Sequence, residues 1–223
     1  MESLLWFPFN EFPFVVLTFI IAFTVHEFAH AYSAYKFGDM TAYNAGRVTL
    51  NPRVHLDVLG TILILLAGFG WAKPVPVNPN RFKNPRLMSI IVTAVGPLSN
   101  LLMAFIAFVI YFLLLGTGVY EASSIGVQEA LSTFLIKYFA YINILLFLFN
   151  LIPLPPLDGY RIISNLLPLR VQMKLEQNIH WGMIIFLLLV FIPPLNDVTI
   201  GPLLSLVYDI MLWFGKIIGP WFL

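Results

Sequence analysis

Cysteine is absent from the chain of 223 residues, and charged residues are scarce. The absence of cysteine excludes disulfide bonds, cysteine-ligated zinc or iron–sulfur sites and a thiol nucleophile. Charged residues make up 10% of the sequence, compared with about 25% in soluble domains, whereas hydrophobic residues make up 60%. So few charges cannot cover a water-facing surface, and the composition therefore predicts a protein in contact with membrane lipid. A net charge of +1 provides no basic surface, so we expect no nucleic-acid partner.

Long apolar segments account for most of the sequence. A membrane-spanning helix needs about 20 mostly apolar residues, and four segments approach that length: 12–35, 90–115, 131–152 and 200–222. Two shorter apolar segments, 58–69 and 183–195, suit re-entrant elements or spans that their flanks complete. Alternating proline and valine in 73–79 favour an extended backbone at the cytoplasmic interface. We therefore predict an all-α, polytopic transmembrane protein with about five to six membrane segments and a small extended or strand element.

The distribution of lysine and arginine indicates how these segments are oriented. Basic residues cluster in the connections 36–55, 73–86 and 161–174, whereas the connection 116–130 has none. By the positive-inside rule, the first three connections face the cytoplasm and the fourth faces outside. A full crossing at 58–69 would place the basic residues of 73–86 outside. This segment is therefore predicted to enter the cell membrane from the cytoplasmic side and to return without crossing.

The first predicted span contains the pattern His-Glu-x-x-His at residues 26–30. Positions i and i+4 lie on one face of a helix, so His26 and His30 can bind one tetrahedral zinc ion. Glu27, between them, can contact a water molecule at the metal. An ionisable group in mid-span costs about 2.5–3.5 kcal/mol on insertion scales, so this cluster favours a functional site over a structural one.

A third zinc ligand is expected near the end of the segment 131–152. Prolines at 153, 155 and 156 remove N–H donors, so the helix must break there. Irregular backbone at membrane depth is tolerated only where it is buried in protein or faces a wet cavity. Asp158 follows this break, with Gly159 freeing the turn behind it, so Asp158 is a candidate ligand. Aspartate before glycine is also common at an interfacial turn, and the residues alone leave both interpretations open.

Together, these motifs resemble the site-2 protease family of intramembrane zinc metalloproteases. The resemblance rests on His-Glu-x-x-His in the first span, on Asn-x-x-Pro-x-Pro-x-Leu-Asp-Gly at 150–159, and on Gly-Pro-x-x-Asn at 96–100. It implies that two histidines and an aspartate bind one zinc ion while a glutamate activates water. The residues that match these roles are His26, His30, Asp158 and Glu27.

The same resemblance implies a reaction and a domain plan. Asn150 would hold the substrate or the oxyanion, and Asn100 is a second candidate for that hydrogen bond. The chain would be a minimal single domain over 1–223, with a core at 12–170, C-terminal helices at 180–223 and no PDZ or CBS domain. The implied reaction is hydrolysis of a peptide bond within, or at the edge of, a transmembrane segment of a membrane-protein substrate. This chemistry requires a polar cavity that brings water to the metal from the cytoplasmic side.

Two other functions use similar ligands. A membrane zinc carrier or sensor would need the histidines and the aspartate, but it would not need Glu27 between them. Another class of membrane metalloprotease takes its third ligand from a glutamate on a following helix. No glutamate is suitably placed, because Glu121 and Glu129 fall in the outside connection and Glu176 near a cytoplasmic one.

Three further polar residues are weaker candidates. His55 and Asp57 lie in a connection predicted to be cytoplasmic, and the resemblance includes a His-x-Asp there in close relatives without extra domains. They are candidates for a gate or a substrate contact, although ionisable groups in a loop are more often simply solvated. Asn143 lies two helical turns before Asn150, where asparagines more often join membrane helices together.

Overall fold

The computed structural model describes residues 7–67 and 70–223, and their architecture is all-helical. The last two residues of the predicted segment 58–69 lie outside the described ranges. The described α-helices are α1 Phe12–Lys36, α2 Thr41–Asn44, α3 Pro52–His55, α4 Val58–Ala67, α5 Pro85–Gly116, α6 Val119–Ala122, α7 Ile125–Ser132, α8 Tyr141–Asn150, α9 Asp158–Leu166, α10 Leu169–Gln177, α11 Ile179–Phe191 and α12 Pro193–Ile218. A π-helical segment, Thr133–Ala140, joins α7 to α8, and 3₁₀ turns occupy Pro79–Arg81 and Gly219–Trp221.

Four helical stretches are long and apolar enough to cross a membrane, which confirms the prediction of an all-α integral membrane protein. They are Phe12–Lys36, Pro85–Gly116, Ile125–Asn150 and Pro193–Trp221. The last begins seven residues before the predicted segment 200–222, because Pro193 stands in its first turn, where proline needs no N–H bond. Two shorter apolar helices, α4 and α11, correspond to the two short predicted segments.

The proline-rich stretch after α4 is extended, as predicted, but no strand forms within the described part of the chain. One isolated antiparallel bridge joins Leu56 to Ala72. The physical reason is that prolines at 74, 76 and 79 cannot donate to a ladder of hydrogen bonds. Apart from a backbone hydrogen bond from the Lys73 N–H to the His55 carbonyl, this stretch is held, among the described residues, by side chains rather than by a sheet.

Helix α5 is the central element of the bundle, since it packs against α1, α8, α9 and α12. Small residues allow this close packing, as Ala104 and Ala107 are buried against Ile144 and Val207. Many large apolar side chains elsewhere on the helices are exposed, as expected for surfaces that face lipid. The packing of α5 on α1 and α9 brings the motifs at residues 26–30, 96–100 and 150–159 to one place.

Candidate metal centre

Three side chains converge where α1, α5 and the start of α9 meet. His26 and His30 lie one turn apart on α1, and their Nε2 atoms are 3.0 Å apart. Asp158 is the first residue of α9, and its Oδ2 lies 3.1 Å from the Nε2 of His26 and 3.3 Å from that of His30. Ligands at about 2.0 Å from a tetrahedral zinc ion are separated by about 3.3 Å. The three donor atoms therefore fit zinc in both type and spacing.

The break before α9 delivers Asp158 to this site. Helix α8 ends at Asn150, and α9 begins at Asp158, so the helix breaks at the prolines as predicted. Gly159 is needed here for a different reason from the one the sequence suggested. Its backbone is not left-handed but helical, and a Cβ at this position would lie 2.3 Å from the carbonyl oxygen of Leu151. Glycine thus permits close packing of α9 on the preceding loop.

Hydrogen bonds behind the histidines fix the orientation of both rings. The Nδ1 of His26 lies 2.6 Å from the side-chain oxygen of Asn100, and the Nδ1 of His30 lies 2.7 Å from the carbonyl oxygen of Val92. Because both partners are acceptors, each Nδ1 carries the proton and each Nε2 presents its lone pair to the metal position. Asn100 in turn donates to the side-chain oxygen of Asn143 over 2.9 Å.

Asn100 and Asn143 belong to this hydrogen-bond network behind the histidines. Asn100 and Asn143 are both completely buried, and neither lines the cavity that contains the histidines. The structure therefore places Asn100 behind His26 and outside this cavity. Asn143 also joins helices, since its side-chain nitrogen donates to Phe139 within its own helical stretch while its oxygen accepts from α5.

Glu27 faces the same cavity as the histidines and is held by the extended stretch. Its Oε2 accepts a hydrogen bond of 3.0 Å from the backbone N–H of Val75. The cavity has a volume of about 530 Å³, and its polar lining includes the three candidate ligands, Glu27 and Asn150. The side-chain nitrogen of Asn150 donates to Leu146 within α8. The remaining lining is largely apolar, with Phe149, Met183, Phe186 and Leu187 among its members.

A second cavity, of about 320 Å³, touches His30 and Asp158 and has a lining of mixed polar and apolar side chains. Ser89, Thr93, Tyr160 and Ser164 contribute hydroxyl groups to it. The hydroxyl oxygens of Ser89 and Tyr160 are buried and have no hydrogen-bond partner within the described ranges. Buried polar atoms of this kind are usually satisfied by ordered water. Water in this cavity would lie beside His30 and Asp158, two of the three candidate metal ligands.

The loop residues proposed as a gate lie outside both cavities. His55 is fully buried, its Nε2 lies 2.7 Å from the carbonyl oxygen of Thr49, and its own carbonyl accepts the N–H of Lys73. Burial, which outweighs the hydrogen bond to Thr49, lowers the pKa of His55. The Asp57 carboxylate caps α4 by accepting the N–H of Gly60 over 2.8 Å.

Three residues near the site had no predicted role there, although Gly96 belongs to the Gly-Pro-x-x-Asn motif. A Cβ at Gly96 would lie 2.3 Å from the imidazole of His30, so α5 approaches the ligands as closely as a helix can. Arg47 and Asp39 are buried and bind the backbone of the extended stretch. Glycine before proline in an apolar helix is a detectable signal for Gly96. Nothing in the sequence distinguishes Arg47 and Asp39 from ordinary charged residues of a loop.

Comparison with known proteins agrees with this geometry. The chain matches peptidase family M50 over residues 14–192. Three similar proteins are named "Putative zinc metalloprotease" with the designations YwhC (Bacillus subtilis strain 168), Rip2 (Mycolicibacterium smegmatis) and MJ0611 (Methanocaldococcus jannaschii). YwhC is 48% identical over 99% of both chains. Rip2 is 28% identical over 83% of this chain and 69% of its own, and MJ0611 is 28% identical over 71% and 76%. No solved structure matches the chain. On its sequence, the chain belongs to peptidase family M50, the site-2 protease family of intramembrane zinc metalloproteases.

Proposed function

We propose that this protein hydrolyses a peptide bond within, or at the edge of, a transmembrane segment of a membrane-protein substrate. The observation that supports this most directly is the meeting of two histidines, an aspartate and a glutamate in one cavity. The three candidate ligand atoms have the spacing of zinc ligands. Glu27 lines the same cavity but does not belong to this group of three ligands. A carrier needs the ligands alone, whereas a hydrolase also needs the base.

The reaction uses the residues of this cavity in a defined order. His26, His30 and Asp158 would hold a zinc ion, which would supply a Lewis acid that lowers the pKa of bound water to about 7. Glu27 accepts the proton of the attacking water, whose oxygen bonds to the carbonyl carbon of the substrate. The carbon–nitrogen bond then breaks as Glu27 delivers the proton to the leaving nitrogen. Asn150 belongs to the lining of this cavity, and its side-chain amide would bond the substrate or its developing oxyanion.

Water reaches the site through the second cavity in this proposal. The main cavity has an apolar lining suited to a transmembrane substrate, whereas the second presents hydroxyl groups and touches His30 and Asp158 from another direction. A substrate in the first cavity would therefore leave the second open to water. In this proposal the protein lies in the cell membrane. The positive-inside rule, applied to the connections, predicts that its active site opens toward the cytoplasm.

The extended stretch is suited to hold an unwound substrate by strand addition. A helical segment hides its carbonyls in hydrogen bonds, so the substrate must be extended where it is cut. Pro74 and Val75 of this stretch line the main cavity, as do Trp71 and Ala72 just before it. Proline at Ala72 or Val77 would remove an N–H that bonds to no other described residue. Unchanged cleavage with both substitutions would exclude pairing at these positions.

Substitution of the base tests the function as a whole. The assay uses purified protein in liposomes with a fluorescent single-span reporter whose apolar helix carries a Gly-Pro break near its cytoplasmic end. We expect Glu27→Gln to retain zinc and to lose cleavage, whereas the control Glu129→Gln, in the connection 116–130, should behave as wild type. Cleavage by Glu27→Gln at the wild-type rate would refute the proposed role of Glu27, and zinc transport by it would support the carrier instead.

The proposed orientation includes a re-entrant α4. If α4 crossed the membrane fully, Asp158 would lie about 30 Å from His30, across the hydrocarbon core. The chain has no cysteine, so single cysteines report topology directly. We expect Asn84→Cys to resist an impermeant thiol reagent added outside intact cells, and Glu121→Cys to react. Labelling of Asn84→Cys from outside would exclude a re-entrant α4 and with it this orientation.

A further inference from the structure

The extended stretch 73–78 is attached to the protein by ionisable side chains. The guanidinium of Arg47 donates to the carbonyl oxygens of Lys73, over 2.5 Å, and of Pro74, over 3.1 Å. The carboxylate of Asp39 accepts the N–H of Asn78 over 2.6 Å. Arg47 is 5% exposed and Asp39 is 0% exposed, although both lie in the loops between α1 and α3. Such burial of a charged residue is rare unless its partners are fixed.

The amide that follows these two carbonyls is the one that binds Glu27. Lys73 and Pro74 are held by Arg47, and the next residue, Val75, donates its N–H to the Glu27 carboxylate. The planar fork of a guanidinium bonds two neighbouring acceptors at once, so it fixes the direction of the chain as well as its position. Burial lowers the pKa of Arg47, and the negative charge of Glu27 opposes this change. Arg47 is therefore linked to Glu27 both by charge and through the intervening backbone.

We propose that Arg47 is a positioning residue for peptide hydrolysis, holding the 73–74 backbone so that the Val75 N–H fixes the Glu27 carboxylate. This inference rests on the proposed function. One carboxylate oxygen of Glu27 takes the Val75 N–H, and the other remains for the attacking water. Without Arg47, the carboxylate can rotate away from the proton that it must accept.

Other contacts of the stretch should survive the loss of Arg47. The N–H of Lys73 donates to the carbonyl of His55, and the N–H of Asn78 donates to Asp39. Both ends of the stretch therefore stay attached, and only its centre is released. We expect a defect in turnover rather than in folding, and no effect on the zinc ligands.

The first test compares substitutions of two arginines in the reporter assay described above. Arg47→Met should lower turnover about 10- to 100-fold, the range expected when a reacting group is misplaced by about 1 Å, with an unchanged zinc content. Arg47→Lys should restore only part of the activity, because an ammonium group is a point charge and not a fork. Arg53→Met, at an exposed arginine of the neighbouring helix α3, is the matched control and should behave as wild type.

The second test asks whether Arg47 acts through the Val75 amide. Val75→Pro removes the N–H, while Val75→Ala keeps it and is the control for the side chain. If Arg47 acts through this bond, the double variant Arg47→Met/Val75→Pro should be no slower than the slower single variant, within about two-fold. A purely structural role would instead give two defects that multiply.

Several results would overturn the inference. They are wild-type turnover of Arg47→Met, loss of zinc or of folded protein in that variant, full activity of Arg47→Lys, and multiplicative defects in the double variant. The outcome is separate from that of the proposed function. An active Arg47→Met beside an inactive Glu27→Gln removes the role of Arg47 alone. Cleavage by Glu27→Gln at the wild-type rate removes the role of Glu27 on which it rests, and the absence of cleavage by the wild type removes the proposed function.

Discussion

Helix α5 approaches the proposed zinc ligands most closely at Gly96, and this contact provides a quantitative test of the site. A Cβ at this position would lie 2.3 Å from both Cε1 and Nε2 of His30 and 2.9 Å from Nε2 of His26. Ordinary contact between carbon atoms needs about 3.5 Å, so Gly96→Ala requires a displacement of about 1 Å. The His30 ring cannot make this movement freely, because its Nδ1 is bonded to the carbonyl of Val92.

The displacement exceeds what a metal site tolerates. Ligand distances in zinc sites hold to within about 0.2 Å, so a shift of about 1 Å in one ring or in the whole of α5 must weaken binding. Overpacking of a well-packed interior costs about 1–3 kcal/mol. If this cost falls on the zinc-bound state, the affinity for zinc decreases by about 5- to 150-fold.

The assay is a zinc competition against a fluorescent chelator, with purified protein in detergent. Gly215→Ala is the matched control, because Gly215 also lies within an apolar helix and a Cβ there meets no described atom within 4 Å. We expect Gly96→Ala to lose zinc affinity and Gly215→Ala to keep it. Equal zinc affinity in Gly96→Ala and wild type would refute the conclusion that the approach of α5 determines the ligand geometry.

Three further predictions concern the partners of the site. Asn100→Ala removes the acceptor for the His26 Nδ1 and should lower zinc affinity by about 10- to 100-fold in the same competition, and an unchanged affinity would show that Asn100 does not orient the ring. Removal of zinc by a chelator should abolish reporter cleavage and added zinc should restore it, whereas Asp158→Ala should stay inactive at the same zinc concentration; cleavage by this variant would exclude Asp158 as an essential ligand. Burial lowers the pKa of His55 below the value of about 6.5 that an exposed histidine has. When the loop around His55 opens to solvent, the histidine therefore binds a proton more readily than when it is buried. Below about pH 6.5, acid thus favours this local opening. Hydrogen-exchange protection of the Lys73 amide should therefore fall as the pH decreases from about 7.5 to about 5.5, and protection that stays constant or rises would contradict this.

The parts of the site that sit on one helix could be predicted from the sequence. The relation of His26 to His30 follows from the geometry of a helical turn, and Glu27 follows from its place between them. Asp158 could be named as a candidate because the prolines before it forced a break at membrane depth, but the residues alone could not exclude an ordinary turn. Its distance to the histidines depends on how α9 packs against α5, and no local pattern determines that packing.

The contacts around the base could not be predicted, because they join residues that are distant in sequence. Glu27 and Val75 are 48 positions apart, and Arg47 reaches Lys73 across 26. In the sequence, Arg47 is one of 12 basic residues, and the positive-inside rule already accounts for a basic residue in that loop. The property that separates Arg47 from Arg53 is burial, which arises only when the extended stretch folds back over α1. If the Arg47 guanidinium moved out into solvent, the carbonyls of Lys73 and Pro74 would lose their hydrogen bonds. The position of Arg47 is therefore determined by the backbone that it binds. The same backbone carries the N–H that binds the base, and this is why a residue that looks like a topology signal can control the geometry of the reaction.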